Sequence, residues 1–346
     1  MTLRSPTAFA DAGLITADQI PALQRVAAQY AVAITPAMAD LVDPGDPCDP
    51  IARQFTPDPA ELESRPGESA DPIGDDVHSP VEGIVHRYRD RVLLKITHTC
   101  AVYCRFCFRR EVVGPEGSGA LSGKALDAAL AYIAEHPQIW EVIVTGGDPL
   151  VLSARRLRDL MARLGAVDHV KVIRFHTRVP AVSPDLITEE MAAALRSPRQ
   201  AVYVALHANH ARELTPAARA ACARLVDAGI PMVAQTVLLT GVNDSPEALG
   251  DLMRALVETR VKPYYLHHGD LAPGTGHLRT SIETGQALTR SLRGDLSGLC
   301  QPTYVLDIPG GHGKVPVGPA YLCRGPDGET LVEDPAGSLH PYPPTG

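Results

Sequence analysis

Apolar positions along the chain fall into short and long groups that alternate. Short runs rich in β-branched residues stand at 92–96, 141–144, 170–175, 201–206, 232–239 and 261–266. Between them lie longer stretches rich in Ala, Leu and Arg, at 124–135, 154–164, 185–195, 215–228, 245–258 and 283–293. The short runs predict buried strands and the longer ones helices. Several helices open on capping signals: Thr215-Pro216 and Asp244-Ser245-Pro246-Glu247 each place a proline in the first turn. Six strand–helix units in succession imply a parallel sheet, flat or rolled into a barrel. Functional residues are then expected just beyond the C-terminal ends of the strands.

The first 80 or so residues have a different texture. Residues 17–31 predict an amphipathic helix with Ile20, Leu23, Val26 and Ala27 on one face. Prolines then follow at 44, 47, 50, 57, 59, 66 and 72, too close together for long regular elements. This segment reads as an arm that wraps the domain after it, or else as a flexible linker.

Composition narrows the class without naming a function. The chain has 346 residues, 45% hydrophobic and 21% charged, which fits one large or two modest globular domains. Lysine and arginine against aspartate and glutamate give 32 − 40 = −8, which argues against a nucleic-acid binder. No apolar run approaches ~20 residues, so a membrane-spanning helix is not expected. The N-terminus lacks the apolar core of a secretory signal, and the expected compartment is the cytoplasm.

The seven cysteines are unevenly placed. Cys48, Cys222, Cys300 and Cys323 are scattered, whereas Cys100, Cys104 and Cys107 form C-x3-C-x2-C directly after the first strand. Structural zinc asks for four protein ligands; no fourth cysteine is near, although His98 is. Three thiolates on a four-iron cubane instead leave one iron open for a small molecule. A zinc-stabilised interaction module and a non-catalytic iron–sulfur electron carrier are the rivals from other classes.

With this cysteine spacing the chain resembles the radical S-adenosylmethionine enzymes. The resemblance implies a [4Fe–4S] cluster on Cys100, Cys104 and Cys107, whose open iron is chelated by S-adenosylmethionine. It also implies an α/β fold: a partial (β/α)6 TIM barrel over 86–294, a helical, Pro-rich N-terminal arm over 1–85 and a C-terminal extension over 295–346. Gly146-Gly147-Asp148, after the second strand, resembles the family's glycine-rich motif for the methionine amino group. Glycines there would let the backbone approach a ligand. His207 would help to hold S-adenosylmethionine, or serve as a buried structural histidine.

Further blocks are similar, in order, to the lysine 2,3-aminomutase family. They are Arg87-Tyr88-Arg89-Asp90-Arg91, the cysteine loop, Gly146 to Leu150, Asn209-His210, Gln235 to Leu239 with Gly241 to Asp244, Pro263-Tyr264-Tyr265, Gly276 to Thr280 and Asp307 to Lys314. Larger family members carry a C-terminal cysteine cluster for zinc, but only Cys323 lies beyond Lys314 here. The resemblance is therefore to the shorter members, without that zinc site, some of which supply β-lysine for modification of elongation factor P.

The resemblance makes Lys314 the lysine that forms a Schiff base with pyridoxal 5′-phosphate. A nucleotide phosphate loop is excluded there, because Ile308 and Val315 stand where it needs Gly and Ser or Thr. It further implies that Arg87, Tyr88 and Gln235 hold the cofactor phosphate and that Arg109 binds the substrate α-carboxylate. Asp270 and Asp307 would take its ε-ammonium. Two carboxylates aimed at one site repel unless a cation lies between them, so the pair favours a cationic substrate.

The implied activity is that of an isomerase. A 5′-deoxyadenosyl radical removes hydrogen from Cβ of L-lysine, and the amino group migrates from C2 to C3 to give L-β-lysine or its (R)-enantiomer. Arginine or ornithine is the alternative substrate, since His267-His268 stand where larger relatives carry Tyr and Gln. The expected partners are the amino acid and an electron donor of the flavodoxin or ferredoxin type, with no nucleic acid and no membrane. The expected assembly is a homo-oligomer.

Overall fold

A computed structural model of the chain describes residues 1–114 and 119–343. Nine strands form one sheet in chain order: β1 (Ile84–Tyr88), β2 (Arg91–Thr97), β3 (Glu141–Gly146), β4 (Val172–Thr177), β5 (Ala201–His207), β6 (Met232–Val237), β7 (Val261–His267), β8 (Thr303–Ile308) and β9 (Gly313–Pro316). β2 to β8 run parallel, and β1 and β9 are antiparallel edges. Six βα units are thus followed by a seventh parallel strand, so the sheet continues past residue 294. Three further strands, β10 (Leu322–Arg324), β11 (Thr330–Glu333) and β12 (Leu339–Tyr342), make a separate antiparallel sheet.

The helices form for visible reasons. In Ala154–Gly165, Leu157, Leu160, Met161 and Leu164 fall at i, i+3, i+4 and i+7 and are buried, while the Ser153 side chain caps the first turn. Thr215 and Ser245 cap the helices that begin at Pro216 and Pro246. The expected 185–195 helix is shorter, Glu189–Leu195, because Thr188 caps a new start after a separate turn at Pro184–Leu186. The strand expected to reach 239 stops at Val237, where amide side chains take over. Asn209 Oδ1 accepts from the Val237 N–H and Asn243 Oδ1 from the Leu239 N–H.

The arm is packed rather than free. Phe9, Ile34, Met38, Ile51 and Phe55 share one buried core with Leu94, Val144 and Leu206 of the sheet. The flexible-linker reading fails because these side chains leave water only against the barrel.

The arm also fills the seam between the two edges, β1 and β9. His78 Nε2 donates to the Gly311 carbonyl at 3.1 Å, and Arg87 of β1 donates to the Ile73 carbonyl at 2.6 Å. Gly74, at φ +69°, lies so close to the β8–β9 turn that a Cβ would come within 2.5 Å of the Gly311 nitrogen. Across the seam, the Lys314 N–H donates to the Tyr88 hydroxyl at 2.7 Å. Among the described residues no helix is long and apolar enough to cross a membrane.

Candidate active site

Strand alternation sorts the barrel. Val92, Leu94 and Ile96, Val142 and Val144, Ile173 and Phe175, and Val204 and Leu206 belong to the core beneath the helices. The residues between them, including Lys95, Thr145, His176 and His207, therefore face the lumen. Gln235, His267 and Asp307 line the same interior, and the chemistry collects at two poles within it.

The first pole is the loop after β2. Cys100, Cys104 and Cys107 are free thiols and partly buried. Burial pushes the Cys100 thiol well up, and Asp148 and the other two thiols add to it; burial also raises Cys107. Ionised together, the three thiolates would repel one another, and a cationic iron group supplies the charge that holds them so. The donor set therefore fits the implied cluster. Among the described residues no three His, Cys, Asp or Glu side chains converge closely enough to share one ion. A cubane does not need that convergence, because each liganded iron takes its own thiolate.

Gly146 and Gly147 have a different immediate neighbour from the ligand expected of them. A Cβ at Gly146 would come 2.3 Å from the Thr97 oxygen, and one at Gly147 would come 2.3 Å from the Thr99 oxygen. Their bareness lets this turn lie against the cysteine loop, where the Gly147 N–H donates to Thr97 O (2.6 Å) and the Asp148 N–H to Thr99 O (2.9 Å). Asp148 is turned inward. Its carboxylate accepts from Thr177 Oγ1 (2.7 Å), the Leu150 N–H (3.0 Å) and the Arg178 N–H (2.6 Å).

His207 ends β5 and stacks on Phe106 of the cysteine loop, with ring centroids 5.4 Å apart. Burial, then the Arg178 charge, hold it well below its ordinary value, so it is neutral. Its Nε2 is buried without a partner. An orphaned ring nitrogen beside the cysteine loop fits a polar ligand such as S-adenosylmethionine.

The second pole is built by a hairpin. Positive φ at Gly310 and Gly311 reverses the chain after β8 and pairs Asp307 directly with Lys314 across the β8–β9 ladder. Asp307 thus lies within β8, and Lys314 on β9, rather than beyond the last strand as expected. Lys314 Nζ donates to Asp307 Oδ2 and to His267 Nδ1, the latter at 3.1 Å. Burial alone would raise Asp307, but the His267 ring and the Lys314 ammonium overcome it and hold the carboxyl well below the usual range. Burial and Lys314 lower His267 to about 4. Asp270, after β7, is pushed up to about 7, first by burial and then by Asp307, against the pull of Lys314 and Arg109.

The expected phosphate ligands reach this pole unequally. Arg87 Nη1 lies 4.0 Å from Asp307 Oδ1, Arg87 Nε is buried without a partner, and Tyr88 bonds the Lys314 backbone. Gln235 Nε2 bonds His176 Nε2 at 3.2 Å, and His176, buried and well below its ordinary value, is neutral. The orphaned Arg87 Nε and His267 Nε2 beside a lysine amine fit an anionic aldehyde cofactor such as pyridoxal phosphate.

One functional residue escapes the sequence reading. Asp75, in the proline-rich arm, accepts from Arg87 Nη2 (3.1 Å) and from Arg109 Nε and Nη2 (3.0 and 2.9 Å). It joins the two expected anion-binding arginines. No motif marks it, because its partners lie 12 and 34 residues away. Glu61 was likewise invisible; it is buried between Arg105 and Arg110 and ties the arm to the cysteine loop.

A barrel with three thiols after its first parallel strand and an orphaned histidine facing them defines a radical S-adenosylmethionine enzyme. The radical SAM superfamily model matches residues 94–253, and the model described as lysine-2,3-aminomutase matches residues 289–344. L-lysine 2,3-aminomutase of Acetoanaerobium sticklandii is 40% identical over 95% of this chain and 79% of its own length. The enzyme of the same name from Clostridium subterminale is 40% identical over 90% of this chain and 74% of its own length. Glutamate 2,3-aminomutase of Clostridioides difficile is 37% identical over 87% and 70%. The chain belongs to the lysine 2,3-aminomutase family, whose members are isomerases that use a [4Fe–4S] cluster, S-adenosylmethionine and pyridoxal 5′-phosphate.

Proposed function

We propose that this enzyme moves the amino group of L-lysine from C2 to C3, giving β-lysine. The observation that carries the reading is that the lumen brings two carboxylates, Asp270 and Asp307, together with the guanidinium of Arg109. An α-amino acid with a cationic side chain complements both. Glutamate would set a carboxylate against the two aspartates.

When bound, the cluster and S-adenosylmethionine supply a carbon radical, and the pyridine aldehyde activates the migrating nitrogen. This chain's own residues do the rest. Lys314 must lose a proton before its nitrogen can attack an aldehyde, and Asp307 Oδ2 is already bonded to that proton. Once Lys314 is uncharged, Asp307 has lost the cation bonded to it and keeps only Arg87 at 4.0 Å, and the substrate ε-ammonium restores the balance with Asp270 alongside. Arg109, steered by Asp75, presents two parallel donors to the α-carboxylate. A one-electron carrier of the flavodoxin or ferredoxin type reduces the cluster.

The decisive experiment is anaerobic incubation of the reconstituted enzyme with lysine, arginine, ornithine or glutamate singly, followed by mass spectrometry of the β-isomers. β-Lysine is expected as the main product; faster turnover of another amino acid would overturn the substrate assignment.

Asp270→Asn separates function from stability. It removes a charge-assisted bond worth roughly 1.5–3 kcal/mol, so kcat/KM for lysine should fall by about 10- to 150-fold while reductive cleavage of S-adenosylmethionine persists. Because the folded carboxyl sits at about 7 against 3.8 unfolded, the native state binds the proton more tightly. Its contribution to stability is full below about 3.8 and is lost as pH rises through about 7. The ligand-free Asp270→Asn protein should therefore melt higher than the parent at pH 8, with the gap closing towards pH 4. Equal melting temperatures at pH 8 would show that this carboxyl is not strained.

Asp75→Asn should raise KM for lysine by about tenfold, as expected for one weakened charge-assisted contact, with kcat less affected. Steady-state kinetics of the variant check this.

A further inference from the structure

We propose that Arg178 and Glu213 form a buried charge pair that sets the reduction potential of the cluster held by the cysteine loop. This rests on the reading that Cys100, Cys104 and Cys107 hold that cluster. Arg178 follows β4 directly, and its Nη1 donates to Cys104 Sγ at 2.9 Å. Its Nη2 points away, to Glu213 Oε2 at 2.5 Å and Gln54 Oε1 at 2.8 Å. The guanidinium therefore stands between thiol and carboxylate.

The pair is isolated from water. The Arg178 side chain is 6% exposed and that of Glu213 is fully buried. The guanidinium carbon lies 4.7 Å from the Phe55 ring centre and 5.3 Å from that of Phe106. Glu213 is fixed from behind, its Oε1 accepting from the Asn209 N–H (2.8 Å), the His210 N–H (3.0 Å) and Gln54 Nε2 (3.1 Å). Gln54 Oε1 also accepts from Asn209 Nδ2 at 3.1 Å. Removed from water, these charges act at short range with little screening.

The sign follows from the geometry. Reduction of the cluster adds one electron, supplied from outside by a one-electron donor, and moves the core from 2+ to 1+. An N–H bond to a ligand sulfur and a cation beside it favour the electron-rich form, so they raise the potential. Glu213, one step further away, partly offsets that effect. Arg178 is thus a positioning residue, poised by its carboxylate partner.

This arrangement predicts opposite shifts from two substitutions. Glu213→Gln keeps the shape but leaves the guanidinium uncompensated, and should raise the midpoint potential of the 2+/1+ couple. Arg178→Met removes the N–H and the cation and leaves Glu213 behind, and should lower it.

The measurement is an anaerobic redox titration of the reconstituted full chain, with dithionite as reductant and the reduced cluster read by electron paramagnetic resonance. Iron and sulfide are assayed in each sample. Shifts of opposite sign support the proposal. Shifts of the same sign, or none, at full iron and sulfide content overturn it. If Arg178→Met fails to hold iron, Glu213→Gln decides alone: an upward shift supports the pair, and no shift or a downward one overturns it. Failure of the parent chain to take up four irons and four sulfides would sink the cluster reading instead.

Discussion

Lys314→Ala should yield an enzyme with no detectable aminomutase turnover and no borohydride-fixed pyridoxyl group. A Schiff base needs an amine, and Lys314 is the amine that the β8–β9 hairpin delivers to Asp307 and His267. The alanine variant also strands Asp307, whose carboxyl is only 10% exposed. Removing one partner of a buried pair costs roughly 3–5 kcal/mol, so this protein should melt lower as well. Lys314→Arg separates the two effects. Arginine keeps a cation near Asp307 but stays protonated, so it should restore much of the melting temperature and none of the turnover. Peptide mapping after borohydride treatment of the parent should place the label on Lys314. The rival inside the barrel is Lys95, since Lys262 is bonded to the Leu299 and Gln301 carbonyls and Lys171 to that of Asp168. A label recovered on Lys95 would refute the assignment.

Loss of any one of Cys100, Cys104 and Cys107 to alanine should abolish the visible absorbance of the cluster, and with it all S-adenosylmethionine cleavage. Three protein ligands leave no reserve when one iron is kept open. Replacing Cys48 or Cys323, both exposed, should change neither iron content nor activity. Cys222 and Cys300 are buried in the helix-side core, so their alanine variants should lose some stability and keep the cluster. Iron and sulfide analysis of the seven variants is the test. Loss of the cluster on changing any of these four would mean that the C-x3-C-x2-C loop does not hold it alone.

The parts of this enzyme legible in the sequence are those fixed by neighbours along the chain. Strand cores such as 141–144 and 201–206 are runs of apolar residues, and the Ser245 cap lies one residue from the helix it starts. The cysteine loop and the Lys314 segment carry their chemistry within fewer than ten positions. Asp75, Glu61 and Arg178 carry theirs through partners on other elements, and no local pattern marks them. Gly146 and Gly147 were legible as a turn that needs bare backbone, but not as a turn that needs it against Thr97 and Thr99. The place of Asp307 within β8 is not legible for a related reason. Its role follows from antiparallel pairing with Lys314, and pairing partners are chosen by the tertiary fold rather than by the residue itself.

The seam between β1 and β9 has a consequence for solubility. An open sheet ends in two rows of unsatisfied backbone groups, which can template pairing with another chain. Here the stretch from Ile73 to His78 takes bonds from the β1 arginine and gives one to the β8–β9 turn. The segment that steers Arg87 and Arg109 therefore also guards both edges. A chain cut after residue 80 would keep all three cysteines and Lys314, yet it would expose those edges together with the apolar face that Phe9, Ile34 and Phe55 now cover. Its fate should be self-association into strand-paired aggregates before it ever loads a cofactor.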